Sequence, residues 1–236
     1  GGNQKISING NLNPSIILPV NPNPIELESA NQLSLHFSLL TKQPPKIIKE
    51  DDYVGGSGIF IGKTKYAIDN DTESLNLKED GYSFKNINNN FIIQGGSEKG
   101  LLFGVYSLLE SFGFRKYAAD DPLVVPKKIE LEFPVNTIKV PKINYRTTNY
   151  YESRDSEYAD WNKLSSRDSW GLFVHTFEVL VPPEKYGKSN PEYYSLINGK
   201  RNVVTQLCLT NHDMFDVLVK DLRKRINENP KAKYWS

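Results

Sequence analysis

The sequence predicts an α/β protein in two parts. The first is an α/β sandwich, a mixed sheet with helices packed on one face. The second is a (β/α)8 barrel that is begun and not completed. Three observations carry this. Residues 91–126 read as strand, turn, helix and strand, with glycines at the joints. Short apolar runs and one long helical pattern precede that unit. After Pro141, strand and helix patterns alternate to the last residue, over a length far short of the roughly 250 residues a full barrel needs.

Taken in order, residues 1–13 are Asn/Gly-rich and are expected to be a flexible N-terminus. Ser15–Val20 is an apolar strand and Asn21–Pro24 a turn. A helix follows from Ile25 to about Leu40, with Leu27, Ala30, Leu33, Phe37 and Leu40 in helical register, and the prolines at 44–45 end it. His36 on this helix reads as structural or solvated. Lys46–Gly56 is a charged loop, Ser57–Gly62 a strand, and Ala67–Asp80 an acidic loop. Gly81–Asn86 and Phe91–Gln94 form a hairpin about Ile87–Asn90. Gly95-Gly96 breaks the second strand, and Ser97 can cap the next helix. Leu101, Leu102, Val105, Leu108, Leu109 and Phe112 give that helix its apolar face, and Gly113 closes it. The run GGSEKG at 95–100 lacks the Gly-Lys-Ser/Thr of a Walker loop and the Rossmann spacing, so its glycines read as close packing. Strands near Phe114–Ala118 and Lys128–Phe133 complete a domain spanning 14–134.

Residues 135–142, between Pro134 and Lys142, are expected to link this domain to a barrel start at 143–236. Lys142–Thr148 and Trp170–His175 read as its first two strands, Ser153–Arg167 as helical, and Thr205–Leu209 as a third apolar run. Asn198-Gly199 marks a turn. A long amphipathic helix runs through Phe215, Leu218, Val219, Leu222 and Ile226 until Asn229-Pro230, and Tyr234–Ser236 begins a strand.

The totals exclude some partners. Lys and Arg number 29 against 28 Asp and Glu, so the net charge of +1 gives no electrostatic case for nucleic acid. No run of apolar residues is long enough to span a membrane. The single cysteine, Cys208, allows no internal disulfide. The polar opening Gly1-Gly2-Asn3-Gln4 reads as an expression remnant or as the tether of a processed chain. An incomplete barrel exposes apolar strand edges and so predicts self-association.

Two stretches carry a family resemblance. GGSEKGLLFGVYSLLESFGFRKY at 95–117 resembles the signature of the α/β domain that precedes the catalytic barrel in glycoside hydrolase families 20 and 67. HTFEVLVPPEKY (175–186), NPEYYSLINGKR (190–201) and QLCLTNHDMFDVLVKDLRKRINENP (206–230) resemble the bacterial domain-of-unknown-function family numbered 4838. Members of that family are often placed near α-glucuronidases and hexosaminidases. The resemblance implies a hexosaminidase-like α/β domain, then the first third of a barrel, as the N-terminal portion of an exported, periplasmic or cell-surface lipoprotein. It implies a carbohydrate partner in polysaccharide breakdown and no cofactor. The catalytic carboxylates of such proteins lie on later strands, so none is carried onto this chain. The alternative is a non-catalytic carbohydrate-binding or accessory protein.

Barrel sites gather at the carboxyl ends of strands, and that rule selects candidates here. Arg146 ends the first expected strand and can fork two hydroxyls or a carboxylate, or pair with Glu152 or Asp155. His175 ends the second and can donate to a hydroxyl or fix its loop. Tyr150 and Tyr151 can stack on a sugar ring or serve as packing. Asn211 can read hydroxyls or cap the following helix. Glu178 and Asp213 are loop carboxylates, and Gln206 precedes the third run. Cys208, His212 and His175 lack a recognised ligand spacing, so no metal is expected.

Overall fold

The computed structural model describes residues 5–8, 11–71, 76–97, 99–127, 130–203 and 206–236. They group into two units, Gly1–Ser165 and Ser166–Ser236. In the first, the elements run β1 (Lys5–Ile8), β2 (Asn11–Leu12), β3 (Ser15–Leu18), α1 (Pro24–Thr41), β4 (Ile47–Lys49), β5 (Gly58–Ile61), α2 (Lys65–Asn70), β6 (Tyr82–Ile87), β7 (Asn90–Gly95), α3 (Gly100–Phe112), β8 (Glu130–Leu131), β9 (Thr137–Lys139) and α4 (Ser156–Trp161).

Six of these strands form a mixed sheet in the order β4-β3-β5-β7-β6-β9. The first four run parallel, while β6 is antiparallel to both of its neighbours. Strands that are apolar at every position need cover on both faces. Ile16, Leu18, Ile59, Ile61, Phe91 and Ile93 join the core beneath α1 and α3. Ile17, Phe60 and Ile92 point the other way and pack with Ala67 of α2. The expectation of helices on one face is therefore corrected: the residue between each pair of core positions is itself buried, and α2 covers it. That short helix lies in the stretch expected to be an acidic loop, capped by Thr64, whose hydroxyl accepts from Ala67 N at 3.1 Å.

Helix α1 begins with a reciprocal cap. Asn23 Oδ1 accepts from Glu26 N at 2.8 Å, and Glu26 Oε2 accepts from Asn23 N at 2.9 Å. The hairpin β6–β7 turns at Asn88-Asn89, with Asn88 at φ 53°. The glycines of the 95–100 run serve close packing. A Cβ on Gly96 would strike the Lys78 carbonyl oxygen, and one on Gly100 would strike that of Gly81. The backbone N–H groups of Gly96 and Ser97 donate to those same two residues, Gly81 O at 2.8 Å and Lys78 O at 2.9 Å. Ser97 caps nothing. Helix α3 starts three residues later, after Lys99, without a side-chain cap.

Other expectations are corrected as well. Within 1–13, residues 5–8 and 11–12 are paired strands rather than a loose tail, because β1 lies beside both β2 and β8; residues 1–4 and 9–10 lie outside the described residues. Phe114–Ala118 forms no strand beyond the single bridge Arg115–Val124. Residues 128–129 of the expected closing strand are likewise undescribed, and β8 joins the small sheet instead of the large one. Residues 135–142, expected as a linker, contain the edge strand β9, which pairs with Tyr82–Phe84. Lys142–Thr148 is not a strand. It begins a strap, 142–165, that belongs to the first unit. Arg146 holds it to Asp80 at 3.1 Å, Lys163 to Glu110 at 2.6 Å, and Lys99 to Asp160 at 2.7 Å. Trp161 reaches into the main core.

The second unit contains β10 (Trp170–Leu172), α5 (Thr176–Leu180), α6 (Pro183–Tyr186), β11 (Leu196–Ile197), β12 (Lys200–Arg201), α7 (His212–Glu228) and β13 (Tyr234–Trp235). Strands β11 and β12 form a hairpin at Asn198-Gly199, both at positive φ. Strand β13 returns parallel to β10, pairing Trp170 with Tyr234 and Leu172 with Trp235. The third expected strand is reduced to one bridge between Leu207 and Tyr194, and its Thr205 is undescribed. The core gathers Leu180, Val181, Tyr193, Tyr194, Leu207, Met214 and Leu218, with α7 supplying its last two members. Tyr194 donates its hydroxyl to Val181 O at 3.1 Å. The protein is thus mixed α/β, with a mostly parallel central sheet and helices about it.

Candidate functional site

In parallel α/β structures ligands gather at the carboxyl ends of strands. In the second unit β10 and β13 end side by side, and the chain around those ends forms an open recess of 320 Å³. His175, Thr176, Phe177 and Glu178 line it after β10, Ser236 after β13, and Gln206 from the loop before α7. The two strand ends are tied together: Ser236 N donates to Leu172 O at 3.3 Å, and Thr176 Oγ1 donates to the Ser236 carbonyl oxygen. At the other end of the pair, Trp170 packs against Tyr234 and Phe173 with ring centroids 5.3 and 5.0 Å apart.

The backbone entering the recess is unusual. Val174 and His175 both lie at positive φ, 48° and 53°. A β-branched residue there is strained. The double left-handed turn ends β10 at once and sets His175 just ahead of α5, where its side chain makes no cap bond. His175 is exposed, so its ring nitrogens are open to a ligand. Phe177 is half-exposed and offers an apolar ring. The recess therefore holds an imidazole, an amide, a hydroxyl, a carboxylate and an aromatic face. That set can bind a polyol by hydrogen bonding and ring contact.

The other candidates lie elsewhere. Arg146, in the first unit, uses each of its three guanidinium nitrogens: Nε donates to Lys163 O at 3.0 Å, one terminal nitrogen to Ile143 O at 2.6 Å, and the other to Asp80. Its guanidinium also sits 5.8 Å from the Phe103 ring centre. Asp80, not Glu152 or Asp155, is its carboxylate partner. Tyr150 and Tyr151, also in the first unit, are 76% and 75% exposed, and Arg154 lies over the Tyr151 ring at 5.3 Å. Asn211 caps α7, its Oδ1 accepting from Met214 N at 2.9 Å, while its Nδ2 donates to Glu192 O at 3.4 Å. Asp213 stands in the first turn of that helix. Cys208 Sγ lies 3.4 Å from Thr210 Oγ1, and this hydrogen bond, aided by Arg201, lowers the thiol pKa. Among the described residues, no three His, Cys, Asp or Glu side chains converge as a metal site.

A larger cleft, 530 Å³, lies between α5, α6 and α7. Lys185, Lys220 and Lys224 rim an aliphatic floor that includes Val179 and Val217, and its one carboxylate, Asp221, is held by Arg225 at 2.7 Å. It is a groove between helices, away from the strand ends, so the smaller recess is the better site. Sequence reasoning missed Thr176, Phe177 and Ser236. The first two follow His175 directly and were within reach of the strand-end rule. Ser236 was not, because nothing in its sequence neighbourhood says that β13 returns beside β10.

Among solved structures, the chain is similar to "A novel family GH115 4-O-Methyl-alpha-glucuronidase, BtGH115A, with specificity for decorated arabinogalactans". The identity is 16% and the TM-score 0.44, over 56% of this chain and 18% of that one. The chain thus spans under a fifth of that protein's length. No curated protein matches. Residues 117–236, just over half of the chain, match the family model "Domain of unknown function (DUF4838)". The chain belongs to the DUF4838 family.

Proposed function

We propose that this chain is the N-terminal portion of a carbohydrate-processing protein, related to glycoside hydrolases, and that its second unit opens a (β/α)8 barrel. The recess at the ends of β10 and β13 is where it meets a sugar. The observation that supports this reading is the parallel β10–β13 pair, with His175, Phe177, Glu178 and Gln206 around its carboxyl ends. Phe177 stacks on the apolar face of a pyranose, while His175 and Gln206 exchange hydrogen bonds with its hydroxyls. Glycoside hydrolysis takes two carboxyl groups, and Glu178 is the single side-chain carboxylate among the described residues that line the recess. These residues therefore bind, and a cleavage step needs a further carboxyl from outside them. The resemblance to proteins of polysaccharide breakdown also supports an exported, periplasmic or cell-surface location, which fractionation of the producing cells tests.

A panel of cello-, xylo-, chito- and galacturono-oligosaccharides, titrated by calorimetry, tests the binding. We expect binding of at least one of them that falls tenfold or more in His175→Ala and Gln206→Ala. Unchanged binding in both variants would remove the recess from the account. The second reading, a purely accessory binding protein, is favoured by the lone carboxylate. Turnover of aryl-glycosides by a longer form of the protein would exclude it.

A further inference from the structure

The strap 142–165 lies on the first unit with little of itself buried. Among its described residues only Ala159 and Trp161 are buried. Its three ion pairs involve partly exposed side chains, and such pairs hold weakly in water. Trp161, 1% exposed, is therefore the main anchor. Its ring sits 4.7 Å from that of Tyr106 and 5.5 Å from that of His36, which Phe114 flanks at 5.3 Å.

His36 is 2% exposed. Its Nδ1 lies 2.7 Å from Gln32 O, an acceptor, so Nδ1 carries the hydrogen and Nε2 the lone pair. Among the described residues, Nε2 is buried with no partner, and so is the Trp161 Nε1–H. A proton added at Nε2 would create a second unanswered donor and a buried charge in an aromatic pocket.

We propose that His36 is an acid-sensitive latch: its protonation expels Trp161 and frees the strap 142–165, while the six-stranded sheet stays folded. The groups around the ring act as follows. On α1, the Gln32 carbonyl favours the charged ring, and on α4 so does Glu157, which is exposed. Burial outweighs both and lowers the His36 pKa. Phe114 and Tyr106 bring no charge at neutral pH, and Asp160 is occupied by Lys99. The strap yields first because α1 is also held through Ala30, Leu33, Phe37 and Leu40, whereas the strap has only Trp161 and Ala159 inside.

Hydrogen exchange of the full chain at pH 7.5 and 5.5, corrected for the intrinsic pH dependence of exchange, tests this. Ordinary carboxylates stay ionised across that window. We expect protection of residues 156–164 to fall by up to about tenfold per pH unit below the ordinary histidine range, while β5 and β7 lose no more than that factor and stay far better protected than the strap at both pH values. His36→Phe retains the ring contacts and is expected to remove the pH dependence. Equal protection at both pH values in the native protein, or the same loss in His36→Phe, would overturn the latch. If that variant does not fold, an NMR titration of His36 in the native chain decides: a pKa below 6.5 supports the proposal, and one at or above 6.5 overturns it.

Discussion

The two units bury their apolar residues in different ways. The first builds around a six-stranded sheet, with Ile16, Ile59, Phe91, Phe37 and Leu109 in one continuous core and a second layer beneath α2. The second, residues 166–236, has a two-stranded parallel pair and a core drawn largely from helices and loops. A sheet that is apolar on both faces holds its position without help from its loops. A two-stranded parallel pair does not, and its geometry depends on ties such as Ser236 to Leu172 and Thr176 to Ser236. The stable scaffold and the candidate site are therefore on different units. The recess proposed to meet a ligand is on the less heavily buried one, as is common where sites must adjust.

The largest change should come from the center of the first core. Phe91→Ala is expected to cost about 3–5 kcal/mol in urea unfolding, read by far-ultraviolet circular dichroism. If the units are independent in stability, the fluorescence transition of Trp170 and Trp235 should not move with it. A common shift would break the contrast. Met214→Ala, fully buried in the second core, should cost about 2–5 kcal/mol in that second transition alone.

Gly100→Ala probes the close approach of α3 to the Gly81 carbonyl and is expected to cost about 1–3 kcal/mol. A neutral result would return the 95–100 run to the ligand readings. Asn211→Ala should cost about 0.5–2 kcal/mol and leave sugar affinity unchanged, because its oxygen already serves α7. Lost affinity at native stability would move Asn211 into the site.

The smallest expected effect is one of pH on the first unit. Above pH 6.5, His36 is neutral in both folded and unfolded chains, and stability is complete. Below 6.5 the unfolded chain takes up a proton that the buried ring resists, so stability falls until the folded pKa is reached. Urea midpoints from pH 7.5 to 5.5 check this, and a flat profile would contradict it.

Much of the first unit was legible because its signals are local. The turn at 21–24 that opens α1, the hairpin about Asn88, and the apolar face of α3 closed by Gly113 each lie within a few residues of chain. What escaped was pairing at a distance. Edge strand β4 exists because β3 is beside it, and β1 because β8 is. Within the strap, Lys142–Thr148 reads as a barrel strand, whereas the helical reading of 153–167 meets α4 at Ser156–Trp161. Arg146 of that expected strand instead hydrogen-bonds to Ser165 and Lys163 and pairs its charge with Asp80, partners that composition cannot name. Of the residues that line the candidate recess, the strand-end rule named His175 and Glu178, Gln206 was noted only as preceding the third run, and Ser236 depends on a parallel register invisible in one sequence.

The most direct test is a nitrogen–proton correlation titration of the chain with the same oligosaccharide panel. Shifts are expected to concentrate at residues 173–178, Gln206 and Ser236. Shifts confined to Tyr150, Tyr151 and their neighbours, or none with any sugar of the panel, would contradict a sugar site in the recess.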